Sequence, residues 1–155
     1  MLRSALFNLK RNIFEVLNML VSSHTTLKAD LAYGFQNEKI ILPKLRAHFQ
    51  DETIDKTPEK YCPYDYVGSN GFRYELKSRR IPMGLYSTTL FPCHKVSNTD
   101  TQYFIIKFTD ADTFIKYDRD RFGTYELKML MDTRAGKQGV QALHYCIPVT
   151  DLTTF

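Results

Sequence analysis

Leu2, Leu6, Leu9, Ile13, Val16, Leu17 and Leu20 recur at steps of three and four, the spacing that lines one face of an α-helix. Residues 1–22 therefore read as an amphipathic helix, and Ser22 to Thr26 as a turn with a Ser or Thr placed to cap the next helix. A second helical pattern spans roughly residues 27–50, where Phe35, Ile40, Ile41, Leu42, Leu45 and Phe49 supply an apolar face. Gly34 and Pro43 weaken it, and Pro43, which has no backbone N–H, predicts a kink or a restart. Asp51 to Lys60 is a polar loop carrying Pro58. Beyond it the pattern changes to that of strands. Tyr61–Val67 and Phe72–Ser78 flank Gly68-Ser69-Asn70-Gly71 and predict a hairpin. Tyr103–Phe108 and Thr113–Tyr117 suggest a second one around Asp110-Ala111-Asp112, and Tyr125–Met131 and Tyr145–Val149 read as late strands. Helices lead and strands come after, so the expected class is α+β, a mixed central sheet flanked by helices. The chain divides into an N-terminal amphipathic helix, residues 1–26, and one domain over residues 27–155.

Composition adds little to this picture but excludes some classes. A chain of 155 residues is long enough for one domain with a real core. No apolar run approaches the roughly 18 residues of a membrane span, so no membrane partner is expected. The excess of 21 basic over 17 acidic residues permits nucleic-acid binding without arguing for it, because local clustering decides the potential a phosphate feels. Cys62, Cys93 and Cys146 are odd in number and without paired spacing, which points away from disulfides and towards an intracellular, reducing compartment. Neither Cys93-His94 nor His144-Tyr145-Cys146 has the tight pair that a zinc site needs. The first 14 residues are basic with no acid before Glu15, the composition of an organelle transit peptide. Their apolar period runs on past Glu15 without a cleavage-like break, which favours a structural helix and leaves targeting open.

The chemistry concentrates on the first hairpin. A loop of Ser69-Asn70-Gly71, closed by a glycine in the left-handed region, pairs Gly68 with Phe72 and sets Asp65 opposite Glu75. Opposed residues share a face, and Lys77, two positions beyond Glu75, shares it too. Adjacent carboxylates repel unless a cation neutralises them, and oxygen ligands suit a hard divalent ion such as Mg²⁺. Lys77 cannot ligate a metal while protonated; its useful role is to hold an attacking water or stabilise charge developing on phosphorus. A slip of one residue in register would move Asp65 to the other face. Glu-x-Lys alone carries little, since Tyr125-Glu126-Leu127-Lys128 repeats Tyr74-Glu75-Leu76-Lys77 letter for letter. Only the first copy comes after a Pro-x-Asp strand and a glycine turn; the second comes after Asp118-Arg119-Asp120-Arg121 and reads as an ordinary strand.

Pro63-Tyr64-Asp65, ten residues before Glu75-Leu76-Lys77, resembles the PD-(D/E)XK nuclease superfamily, whose fold is restriction-endonuclease-like. Gly34 to Pro43 looks like the family's helix that brings a glutamate to the metal site, here Glu38. Tyr86-Ser87-Thr88-Thr89, Tyr103–Phe108 and Ile147-Pro148-Val149 look like the small members found in large DNA viruses, so a virus-encoded protein is one expectation. The resemblance covers roughly residues 30–150. It implies that Asp65, Glu75 and the Leu76 carbonyl bind one or two Mg²⁺ or Mn²⁺ ions, about 3.5–4 Å apart if two, with Glu38 on a metal or its water. Arg79, Arg80 and Lys95 are the expected nucleic-acid contacts, Arg79 foremost because it shares the Glu75 and Lys77 face. The tight turn after the Asp65 strand and Pro43 after Glu38 depart from the family pattern.

The leading expectation is thus a metal-dependent nuclease acting on phosphodiester bonds in DNA, with RNA left open. The alternative is a nuclease-like fold kept as a nucleic-acid-binding or assembly subunit without catalysis. A third reading is a structural domain whose acids are incidental. Cutting both strands of a duplex often takes a homodimer in related enzymes, a role the helix at residues 1–22 could serve.

Overall fold

A computed structural model describes residues 28–59, 62–97, 100–131 and 139–155. The amphipathic helix expected over residues 1–22 and the turn after it lie outside the described residues.

Residues 28–49 are helical (α1). The helix passes through Pro43 without the restart that the missing N–H predicts. Ile41 and Leu45, on either side of it, are fully buried, and that burial outweighs one lost backbone hydrogen bond. The strands are β1 (Asp55–Lys56), β2 (Tyr66–Val67), β3 (Arg73–Ser78), β4 (Thr88–Pro92), β5 (Tyr103–Lys107), β6 (Asp112–Lys116), β7 (Glu126–Met131), β8 (Gln141–Pro148) and β9 (Thr153–Thr154). Two short helices, α2 (Cys93–Ser97) and α3 (Arg119–Gly123), sit among them.

Six strands form a mixed sheet in the order β1-β2-β3-β5-β6-β9, with β3 and β5 parallel and the other pairs antiparallel. A separate antiparallel sheet has the order β4-β8-β7. The class is α+β with a mixed sheet. The second sheet, however, was not expected; together with α2 and α3 it stands where a flanking helix was anticipated.

Strand β5 shows why the layers stack as they do. Phe104, Ile105 and Ile106 are each fully buried, so β5 has an apolar residue on both faces. Ile105 packs with Ile41, Leu45, Tyr66 and Tyr74, the cluster under α1. Phe104 and Ile106 pack with Phe91, Phe122 and Ile147 on the side of the second sheet. The order is therefore α1, mixed sheet, second sheet, with β3 beside β5 in the middle layer. No helix among the described residues is long and apolar enough to cross a membrane.

Candidate metal site and nucleic-acid interface

The hairpin has the register that a three-residue, glycine-closed loop dictates. Tyr66 faces Tyr74 and Val67 faces Arg73. The Gly68 N–H donates to the Phe72 carbonyl (3.1 Å), and the Gly71 N–H to the Gly68 carbonyl (3.0 Å). Gly71 has φ +77°, where a side chain would be strained.

Regular pairing ends at Tyr66, and the irregularity at the next residue builds the site. The Asp65 N–H donates to the Tyr74 carbonyl (2.9 Å), and its own carbonyl accepts from the Thr57 N–H (2.9 Å). Its carboxylate oxygen Oδ2 accepts from the Leu76 N–H at 2.7 Å. Asp65 thus takes the place of a paired strand residue at the edge of β3. A residue's N–H and C=O leave a strand on the same side, so the Leu76 carbonyl also points to this open edge.

Glu75 is buried, 7% exposed, on β3. Its Oε1 pairs with Lys95 Nζ at 2.8 Å. Its Oε2 is buried and has no hydrogen-bond partner. Burial, with the charge of Asp65 second, pushes the Glu75 carboxyl up to about 7 against the pull of Lys95 and Lys77. Burial also raises Asp65; the Leu76 N–H opposes it, and Glu38 adds repulsion. The acids feel one another and share a cavity.

That cavity, about 370 Å³, lies between α1 and the edge of β3. Tyr33 and Glu38 line it from α1, and Asp65, Glu75, Leu76 and Arg80 from the sheet side. Glu38 is held there by the Tyr66 hydroxyl, which donates to its backbone carbonyl (2.9 Å), and by an ion pair with Lys56. The expected acids Glu38, Asp65 and Glu75 line this cavity together with Leu76. The charge of Lys77 is felt at Glu75.

The basic residues divide differently from expectation. Arg80 lines the cavity, its guanidinium 3.0 Å from Asp30 Oδ1 and over the Tyr33 ring at 4.7 Å. Arg79, expected to lead the phosphate contacts, instead turns inward: its guanidinium donates to the Leu90 carbonyl of β4, and Nε is buried without a partner. Burial lowers its pKa. Strand parity assigns Arg79 to the Glu75 face, but the second sheet covers that face at the far end of β3. Lys95, also expected on phosphate, is engaged with Glu75. Sequence reasoning missed Lys56, since a two-residue strand has no periodicity to read. The second Glu-x-Lys copy lies on β7 of the other sheet, with Glu126 and Lys128 exposed.

All the candidate ligands are oxygens, the donor type that suits a hard divalent ion, and Glu75 Oε2 is buried without a hydrogen-bond partner. Among the described residues no three His, Cys, Asp or Glu side chains already stand in ligating geometry. Lys56 and Lys95 engage Glu38 and Glu75, and the Leu76 N–H engages Asp65. The donor set fits in kind, and ion binding requires the lysines to yield. Compared with known proteins, the chain matches no family model and no curated sequence.

Proposed function

We propose that this protein is a metal-dependent nuclease of the PD-(D/E)XK type that hydrolyses phosphodiester bonds in DNA, with RNA also within reach of the chemistry. One observation carries the reading. Asp65, folded onto the Leu76 N–H, shares a cavity with Glu38 and with Glu75, whose second oxygen is buried and unpaired. With Lys56 on Glu38 and Lys95 on Glu75, the three acids of this cavity still leave a buried carboxylate oxygen unpaired, and a cation would satisfy it.

Glu38, Asp65, Glu75 and the Leu76 carbonyl would hold Mg²⁺ or Mn²⁺. A bound ion would polarise a phosphoryl oxygen and lower the pKa of its water. Lys77, close enough to bias Glu75, would hold the attacking water or neutralise charge growing on the phosphate. Arg80, at the cavity beside Tyr33, supplies a planar guanidinium for a neighbouring phosphate. The aromatic ring beneath it orients that group.

The test is direct. Plasmid, linear duplex and single-stranded DNA and RNA are incubated with the protein in Mg²⁺, Mn²⁺ or chelator, beside Lys77→Ala and Glu75→Ala. Cleavage that needs the metal and is lost in both variants is the expected result. Absence of metal-dependent cleavage on every substrate, or cleavage untouched by both substitutions, refutes the reading and leaves the binding-subunit alternative.

A further inference from the structure

Glu75 carries a cation whose place there depends on the second layer. Lys95 Nζ lies 2.8 Å from Glu75 Oε1 and 3.4 Å from the Pro63 carbonyl oxygen. The lysine reaches both from α2, tying the acid on β3 to the start of the Pro63–Asp65 segment. Of the two carboxylate oxygens Lys95 reaches Oε1, and Oε2 stays buried and unpartnered. The side chain of Lys95 is 33% exposed against 9% for Glu75, so the lysine has a route to water that the acid lacks. Lys56 stands on Glu38 in the same manner.

Charge is balanced around the cavity before any ion arrives. Among the described residues Asp30, Glu38, Asp65 and Glu75 bring four acidic groups, and Arg80, Lys56, Lys77 and Lys95 bring four basic ones. A divalent ion reaching Glu75 meets an ammonium already on that carboxylate, and repulsion between them is strong where water is scarce. Of the two cations the lysine is the one with somewhere else to go.

We propose that Lys95 is a tethered counter-ion for Glu75 that gives up its place when a divalent cation loads the site. The proposal rests on the metal-dependent reading above. It makes Lys95 a positioning residue: it compensates the buried acid until the ion arrives, and it sets the ion concentration at which the site fills.

Mn²⁺ binding, measured by isothermal titration calorimetry on the whole protein at pH 8 without nucleic acid, tests this apart from catalysis. Lys95→Met and Lys95→Gln should bind Mn²⁺ about tenfold more tightly than the native chain, because the competing lysine charge is gone. That figure holds once the proton that Glu75 keeps more firmly without Lys95 is counted, from titrations in buffers of different ionisation enthalpy. Lys95→Arg, which keeps the charge, should stay within about threefold of native. The Gln variant retains a hydrogen bond to Oε1 and decides the matter if the Met variant does not fold. Native binding with unchanged or weaker affinity in the neutral variants overturns the exchange and leaves the metal site standing. Failure of the native chain and all variants to bind Mn²⁺ overturns both.

Discussion

Replacing Glu75 by glutamine measures what it costs to hold a charge in this site. Burial and Asp65 push the folded carboxyl up to about 7, against an ordinary value of 4.5 in an unfolded chain. An acid whose folded pKa is raised binds its proton more tightly when folded. It therefore favours folding below the unfolded value, and that contribution is lost as pH rises through the folded one. At about 1.4 kcal/mol for each tenfold change in proton affinity, the loss is roughly 3 kcal/mol. Glu75→Gln removes the titration, keeps the shape and leaves Lys95 an oxygen to meet. In buffer containing chelator, urea denaturation should find the variant close to native stability near pH 5. The variant should gain as pH rises and lead by roughly 3 kcal/mol at pH 8, where the difference levels off. Adding Mn²⁺ should narrow that lead, because only the native site binds the ion and ligand binding stabilises the folded state. A lead that is the same at pH 5 and pH 8 contradicts this account, for it means that Glu75 ionises as it would in water.

Asp65→Asn should keep the fold, since the amide oxygen can still accept from the Leu76 N–H, but it removes the charge that raises Glu75. The pH at which urea stability declines should then move below about 7, and metal-dependent cleavage should disappear. Asp112→Ala strips the shared partner of Lys44 and of Lys107, whose side chain is only 15% exposed. It should cost about 3 kcal/mol at pH 7 by denaturation, the low end for breaking a buried pair because Lys44 is half exposed. Burial alone would raise Asp112, but the hydrogen bonds and charges of Lys44 and Lys107 hold it below its ordinary 3.8. Its contribution is therefore present at neutral pH and is lost as pH falls below that value, so the difference from native should shrink there. Gly71→Ala meets open space but imposes φ +77° on an alanine. It should lower stability by about 1 kcal/mol in urea melts while the hairpin and the activity remain.

What could be read from the sequence was local. The register of the first hairpin is set by Gly71 and the loop length, because backbone conformation within a few residues decides which side chains oppose. That is why Asp65 and Glu75 could be assigned to one neighbourhood, and why the run Phe104-Ile105-Ile106 was legible as strand. Glu38 was reached through resemblance alone, and it was α1 lying across β3 that brought it to the cavity. Three-dimensional packing decided the rest. Strands β1 and β9 are two residues long and have no period to detect. Strand β4 is a strand because β8, more than fifty residues later, pairs with it. Alternation along β3 puts Glu75, Lys77 and Arg79 on one face. It could not say that the second sheet covers the Arg79 end, burying that guanidinium against the Leu90 carbonyl. Nor could it say that α2 delivers Lys95 to Glu75 across twenty residues of chain. Local chain chemistry specifies a hairpin that carries an acid on each arm. Which cations stand beside those acids is a tertiary matter, because it depends on how layers distant along the chain come to rest against one another.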